Sequence, residues 1–192
     1  MSDIENLKLK ELIHICYKLI PKDSCVTVVD SIKKQNWVKH EWARGQSNQS
    51  VRSSSSKELD VLGITPELEE ILNPFVSQSV KSYNNFIGEE KASKVTIFSP
   101  IRFNRYKKNQ LMRRHSDHIR SLFNGDVKGI PTLSIIINLN DNYEGGDLVF
   151  WDDYKVHLGE GDVVVFPSLF LFPHRIEAVT RNVRYSGVTW GI

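Results

Sequence analysis

The stretch LSIIINLNDNYEGGDLVFWDDYKVHLGEGDVVVFP (133–167) decides the fold. It holds three runs rich in β-branched and aromatic residues, 133–139, 147–151 and 162–167, separated by Glu144-Gly145-Gly146 and Gly159-Glu160-Gly161. Short runs of this kind bounded by glycine turns read as strands, and no helical pattern of 10–15 residues intervenes to make a βαβ unit. Outward from there, VTIF (95–98), IRFNRY (101–106) and RYSGVTW (184–190) have the same character. The second half is expected to form an antiparallel barrel or jelly roll.

Upstream of residue 95 the apolar spacing becomes helical. Ser2 and Glu5 stand at capping-box spacing, and Leu9, Leu12, Ile13, Cys16, Leu19 and Ile20 form one stripe ending at Pro21, which predicts a first helix. Cys25, Val28, Val29 and Ile32 predict a second. Thr65-Pro66 reads as an N-cap followed by proline at the first helical position. Leu68 through Leu72, Phe75, Val76, Val80 and Phe86 then predict a third helix of about twenty residues, kinked at Pro74. GQSNQSVRSSSSK (45–57) reads as a loop or disordered tip. The expected fold is mainly β with N-terminal helices packed on one sheet. Residues 1–94 would form a helical support for a core at 95–192, in one compact domain.

The chain has 192 residues, 40% hydrophobic and 25% charged, which is enough to bury a core without disulfides and excludes collagen-like and wholly disordered classes. A net charge of +2 gives no global drive toward nucleic acid or an anionic membrane. The only cysteines, Cys16 and Cys25, have no metal-ligand spacing and read as free thiols of a reducing compartment. The apolar run 9–20 is interrupted by Glu11, His14 and Lys18, and no stretch approaches the ~18 apolar residues of a membrane span. A soluble, cytoplasmic protein is expected.

His115-Ser116-Asp117 carries the chemistry. Side chains two apart on an extended segment point the same way, so His115 and Asp117 can share one cation, and His174 on a later strand can complete three ligands. Two histidines and one carboxylate with open positions suit non-haem Fe(II) oxygenases. Arg184 lies ten residues after His174, where its planar fork can grip a carboxylate in the same barrel mouth, and Ser186 on the same strand face can add a hydroxyl donor. Trp151 and Trp190 read as packing residues. Arg102, Arg105, Lys107, Lys108, Arg113, Arg114 and Arg120 face a single acid, Asp117, within 102–120, either as a solvated face or as an attractor of anions.

With RY (105–106), HSD (115–117), YEGGDLVF (143–150), GDVVVFPS (161–168) and PHRIEAVTRNVRYSGVTW (173–190) in this order, residues 95–192 resemble the Fe(II)/2-oxoglutarate-dependent dioxygenases of the prolyl-4-hydroxylase-like branch. The resemblance implies a double-stranded β-helix (jelly-roll) core. It makes His115, Asp117 and His174 the iron ligands, Arg184 the partner of the distal 2-oxoglutarate carboxylate, and Tyr106 a wall of the co-substrate pocket. Asn138 stands near a position that also touches 2-oxoglutarate in some relatives. Asn109 and Met112 depart from the family's usual glycine and frequent aromatic residue. The implied reaction consumes 2-oxoglutarate and O2, releases succinate and CO2, and hydroxylates a C–H bond, with ascorbate as an accessory reductant. A prolyl residue in a peptide or protein is one substrate class, and a free amino acid or small metabolite are others. Two alternatives compete: an oxidative nucleic-acid demethylase, which needs a basic groove and base-stacking aromatics, and a non-catalytic jelly-roll binding module. The near-neutral charge disfavours the first, and an intact set of His115, Asp117, His174 and Arg184 disfavours the second.

Overall fold

In the computed structural model, residues 9–44, 51–53, 55–92, 94–117 and 130–192 are described. In chain order the elements are β1 (His14–Cys16), α1 (Lys22–Lys33), β2 (Val38–Lys39), β3 (Trp42–Arg44), β4 (Val51–Ser53), β5 (Asp60–Gly63) and α2 (Pro66–Ile87). There follow β6 (Arg102–Tyr106), β7 (Met112–His115), β8 (Leu133–Asn138), β9 (Glu144–Gly145), β10 (Leu148–Phe150) and β11 (Tyr154–Val156). The chain ends with β12 (Val163–Pro167), β13 (His174–Ile176), β14 (Val179–Arg181) and β15 (Arg184–Gly191).

Alternation along the central strands builds two cores. Ile135, Ile137, Val163 and Val165 point to one side of the main sheet, where they meet Cys25, Val28, Val29 and Ile32 of α1 and Leu68, Leu72, Val76 and Val80 of α2. Their neighbours Ile136, Val164, Phe166 and Val188 point to the other side, against Leu148, Phe150, Val156 and Ile176. A strand with period two, buried on both faces, must be apolar throughout, which is why β8 and β12 read as continuous runs. The main sheet has the order β1-β12-β8-β15-β6-β5-β2, and a smaller sheet with the order β11-β10-β13-β7 closes over its inner face. The strand pairs within both sheets are antiparallel. This is the expected double-stranded β-helix with helices on one sheet.

Three expectations are corrected. The stripe 9–20 is not a helix: a 3-10 turn (Leu9–Leu12) leads into β1, which pairs with β12. Its apolar residues serve both cores, Ile13 and Ile15 inside the roll and Cys16 and Ile20 toward the helices, so one stripe disguised two faces. The stretch 38–63 is not helical support but supplies β2 and β5 to the main sheet. Residues 95–98 are irregular and touch the chain end through Thr96 N–H to Ile192 O (2.9 Å) and a bridge from Phe98 to Gly191. The helices at 22–33 and 66–87 are as expected; α2 runs on through Pro74. The capping pair Ser2/Glu5 and most of the serine-rich tip lie outside the described residues, although Val51–Ser53 pairs with β3.

The turn before β12 fixes the sheet edge. Gly161 has φ +83°, and a Cβ there would collide with the Ile20 carbonyl oxygen. Asp162 accepts from Gly159 N–H and Lys18 N–H, both at 2.7 Å, tying the turn to the segment after β1. Cys16 and Cys25 are buried free thiols. No helix among the described residues is long and apolar enough to cross a membrane.

Candidate active site

Cross-strand register brings the first two candidate ligands together. His115 ends β7 and lies directly opposite His174 on β13, with ring centroids 4.4 Å apart. Asp117, two residues on, reaches both rings: Oδ1 is 3.4 Å from His115 Nε2 and Oδ2 is 3.9 Å from His174 Nε2. One donor atom from each of the three lies within 4.8 Å of the others, a grouping among the described residues that could hold a metal ion.

The tautomers follow from the other ring nitrogens. His115 Nδ1 is 2.8 Å from the Arg113 carbonyl and His174 Nδ1 is 3.1 Å from the Phe172 carbonyl. A carbonyl only accepts, so each Nδ1 carries the proton and each Nε2 presents a lone pair toward Asp117. Burial pulls the His174 pKa down more strongly than the Asp117 charge raises it, which keeps this imidazole neutral. Burial opposes charge on Asp117 as well. The carboxyl is nevertheless held below its usual range, and the Ser134 hydroxyl is a donor that favours its charged form. Ser134 Oγ donates to Asp117 Oδ2 at 2.8 Å and is itself 2.6 Å from Ser168 Oγ. Two neutral nitrogens and one carboxylate, each oriented from behind, are a donor set that fits Fe(II).

The second half of the site lies on the main sheet. Inward-facing residues alternate along β6 (Arg102, Asn104, Tyr106) and β15 (Arg184, Ser186, Val188, Trp190), and all line one pocket with the three candidate ligands. Arg184 is 1% exposed. Its Nε donates to Asn138 Oδ1 and Tyr143 Oη, both at 3.1 Å, and its guanidinium carbon stands 5.3 Å from the centre of the Tyr106 ring. No carboxylate of the described residues is within ion-pair distance, so the Nη atoms are left to take an anion. Burial pushes the Tyr106 phenol above its ordinary pKa, keeping it protonated. Ser186 is buried in register with Asn104 and Asn138. The Asn138 amide is already occupied, since its NH2 donates to the Asn140, Leu158 and Gly159 carbonyls. Asn138 therefore orients Arg184. Gly146, at φ +69°, lets the backbone run beside the Arg184 stem, which a Cβ would meet at 3.2 Å. Asn109 adopts φ +67°, the left-handed conformation that glycine would otherwise supply.

Sequence reasoning missed several residues here. Ser134 and Tyr143 lay inside quoted motifs, but a single hydroxyl carries no signature of its partner. Trp190, read as packing, lines the pocket with a buried indole N–H that has no hydrogen-bond partner among the described residues. The basic segment divides: Arg105 and Lys107 pair with Asp60 (2.9 and 3.3 Å), Arg113 with Glu58 (2.8 Å) and Arg114 with Asp152 (2.8 Å), while Arg102 faces the pocket. His118 and Arg120 lie outside the described residues.

Residues 101–191, which contain every one of these pocket residues, match the family model of the 2OG-Fe(II) oxygenase superfamily. The segment belongs to that superfamily. A PKHD-type hydroxylase of Acinetobacter baumannii (strain SDF) is 29% identical to the oxygenase over 185 residues, covering 93% of this chain and 77% of that one. Two solved structures share the fold. A Trichoplax adhaerens prolyl hydroxylase in complex with a hypoxia inducible factor oxygen degradation domain peptide fragment aligns with TM-score 0.71 and 15% identity, over 98% of this chain and 89% of that one. A Pseudomonas putida prolyl-4-hydroxylase aligns with TM-score 0.67 and 19% identity, over 94% and 91%.

Proposed function

We propose that this oxygenase hydroxylates a C–H bond of a prolyl residue in a peptide or protein. In this reading His115, Asp117 and His174 hold Fe(II), and Arg184 binds the distal carboxylate of 2-oxoglutarate. The observation that carries the reading is the convergence of two imidazoles and one carboxylate within 4.8 Å, in the same pocket as a buried arginine that has no acidic partner among the described residues. The prolyl hydroxylases of the same fold and the PKHD-type relative support the substrate class.

Bound there, Fe(II) with 2-oxoglutarate supplies the O2 chemistry that places one oxygen atom on the substrate. The chain's own residues do the positioning. Arg184 anchors the co-substrate by a charge-assisted fork, held in place by Asn138 and Tyr143. Tyr106 and Ser186 supply neutral hydroxyls beside that fork. Ile136, Met112, Ile176 and Val188 line the remainder with apolar surface, which excludes water from the reacting centre.

The test is to incubate the protein with Fe(II), 2-oxoglutarate and O2, and to search lysate peptides for products heavier by one oxygen atom. Succinate release with hydroxylated prolyl peptides is expected, and both should vanish in Asp117→Ala. Activity retained in Asp117→Ala defeats the ligand assignment, and oxygen gained only on other residues defeats the prolyl reading.

A further inference from the structure

Seven arginines have described side chains, and five of them pair with a carboxylate: Arg105, Arg113, Arg114, Arg175 and Arg181. The two that pair with no carboxylate of the described residues, Arg102 and Arg184, line the same pocket. Arg184 is accounted for by the co-substrate. Arg102 is not.

Arg102 is held in place. Its Nε donates to Asn104 Oδ1 at 3.2 Å, and its guanidinium lies 5.6 Å from the centre of the Trp190 ring. No hydrogen bond to the described residues involves its Nη atoms. It lies four residues before Tyr106 on β6, about 13 Å along the strand from the residue opposite Arg184. The backbone positions of the two cations therefore lie at opposite ends of the pocket. Asp117 belongs to the Arg102 end, because its partner Ser134 is in register with Trp190.

Counting charge sharpens this. Fe(II), Arg102 and Arg184 bring four positive charges, and Asp117 removes one. The dianion 2-oxoglutarate removes two more, so among the described residues one positive charge stays in the pocket, at the half-buried Arg102. An uncompensated buried charge is costly, and a monoanion from the remaining ligand would cancel it.

We propose that Arg102 determines specificity by receiving a carboxylate of the substrate, so that the carbon to be hydroxylated lies close to an acidic group. This rests on the reading of the chain as a hydroxylase. The acidic group has three sources: a free amino acid, the carboxyl end of a peptide, or an Asp or Glu side chain beside the hydroxylated residue. The Trp190 indole N–H beside Arg102, without a partner among the described residues, is a second donor for the same group.

The experiment measures equilibrium binding to the Fe(II)- and 2-oxoglutarate-loaded protein without O2, so that nothing turns over. Three arms are compared, each as acid against matched amide: free amino acids against amino-acid amides, N-acetyl amino acids against their amides, and amidated prolyl peptides containing Asp against the same peptides containing Asn. At least one acid should bind about ten- to 150-fold more tightly than its amide, the range for a hydrogen bond to a charged group. The arm in which this appears identifies the source. Arg102→Met should bring that ratio to about one, and Arg102→Lys should restore part of it, with 2-oxoglutarate affinity unchanged in both. A merely structural Arg102 would leave the ratio intact. The proposal is overturned if wild-type protein shows no acid preference in any arm, a result that needs no variant to fold. It is also overturned if the preference survives Arg102→Met, or if that folded variant loses 2-oxoglutarate. Failure of the hydroxylase reading is visible separately, as wild-type protein that does not bind 2-oxoglutarate in an Fe(II)-dependent way.

Discussion

At the scale of single residues, the site consists of functional groups held from behind. Arg184 is the clearest case: its Nη atoms are free for an anion because Nε is fixed by Asn138 and Tyr143. Arg184→Ala is expected to raise the apparent KM for 2-oxoglutarate by roughly ten- to 150-fold. Tyr143→Phe, which removes one acceptor and leaves the other, should raise it less and leave Fe(II) affinity alone. Steady-state kinetics with a metal titration checks both, and a Tyr143→Phe effect on metal affinity rather than on KM would contradict the positioning role. The candidate ligands were legible because the HxD spacing, a later histidine and an arginine ten residues beyond it are fixed by strand geometry. Arg102 was legible only as one cation in a basic run. What separates it from Arg105 and Arg113 is the absence of an acid across the sheet, where Asp60 and Glu58 serve the other two.

At the scale of elements, the two faces of β8 and β12 set the architecture, and the helices are there to cover one of them. Leu72 of α2 is fully buried between that helix and the sheet. Leu72→Ala should cost about 2–5 kcal/mol of unfolding free energy, from lost burial and the cavity left behind. Chemical denaturation is the measurement, and a cost below about 1 kcal/mol would mean that α2 is not the packing partner assigned to it. Helices α1 and α2 were readable because each packs on a single core, giving a clean period near 3.6. The segment at 9–20 was not, because Ile13 and Cys16 belong to different cores and their combined spacing imitates one helical face. Strands β2 and β5 were invisible for another reason. They are two and four residues long and mostly half-buried, so alternation has too few positions to show.

At the scale of the whole molecule, acid should loosen the fold around the site. His40 is packed against Trp42, whose ring stands edge-on to His115. Burial, with the positive charges of Arg102 and Arg113, lowers the His40 pKa to about 4. The unfolded chain accepts a proton near the ordinary 6.5. The folded state resists protonation that the unfolded state accepts, so this contribution to stability is complete above about pH 6.5 and is lost as pH falls toward about 4. His14 is shifted in the same direction by burial. Thermal melts between pH 7 and 4 should show Tm falling across this window, with a shallower fall in His40→Gln. An unchanged slope in that variant would place the acid sensitivity elsewhere. Within the basic segment, Arg105, Lys107, Arg113 and Arg114 are paired with the molecule's own Asp60, Glu58 and Asp152.

The three-residue strand β1 has a consequence for how the chain tolerates cutting. It is the outermost member of the main sheet and, among the described residues, the strand paired with that edge of β12, whose Val163–Phe166 run is buried on both faces. Hydrolysis of the backbone between β1 and α1 would let three residues drift away and uncover a row of unpaired amides flanked by valines. Such a row recruits a like strand from another molecule. The same short segment that completes the enzyme's sheet is thus its guard against aggregation.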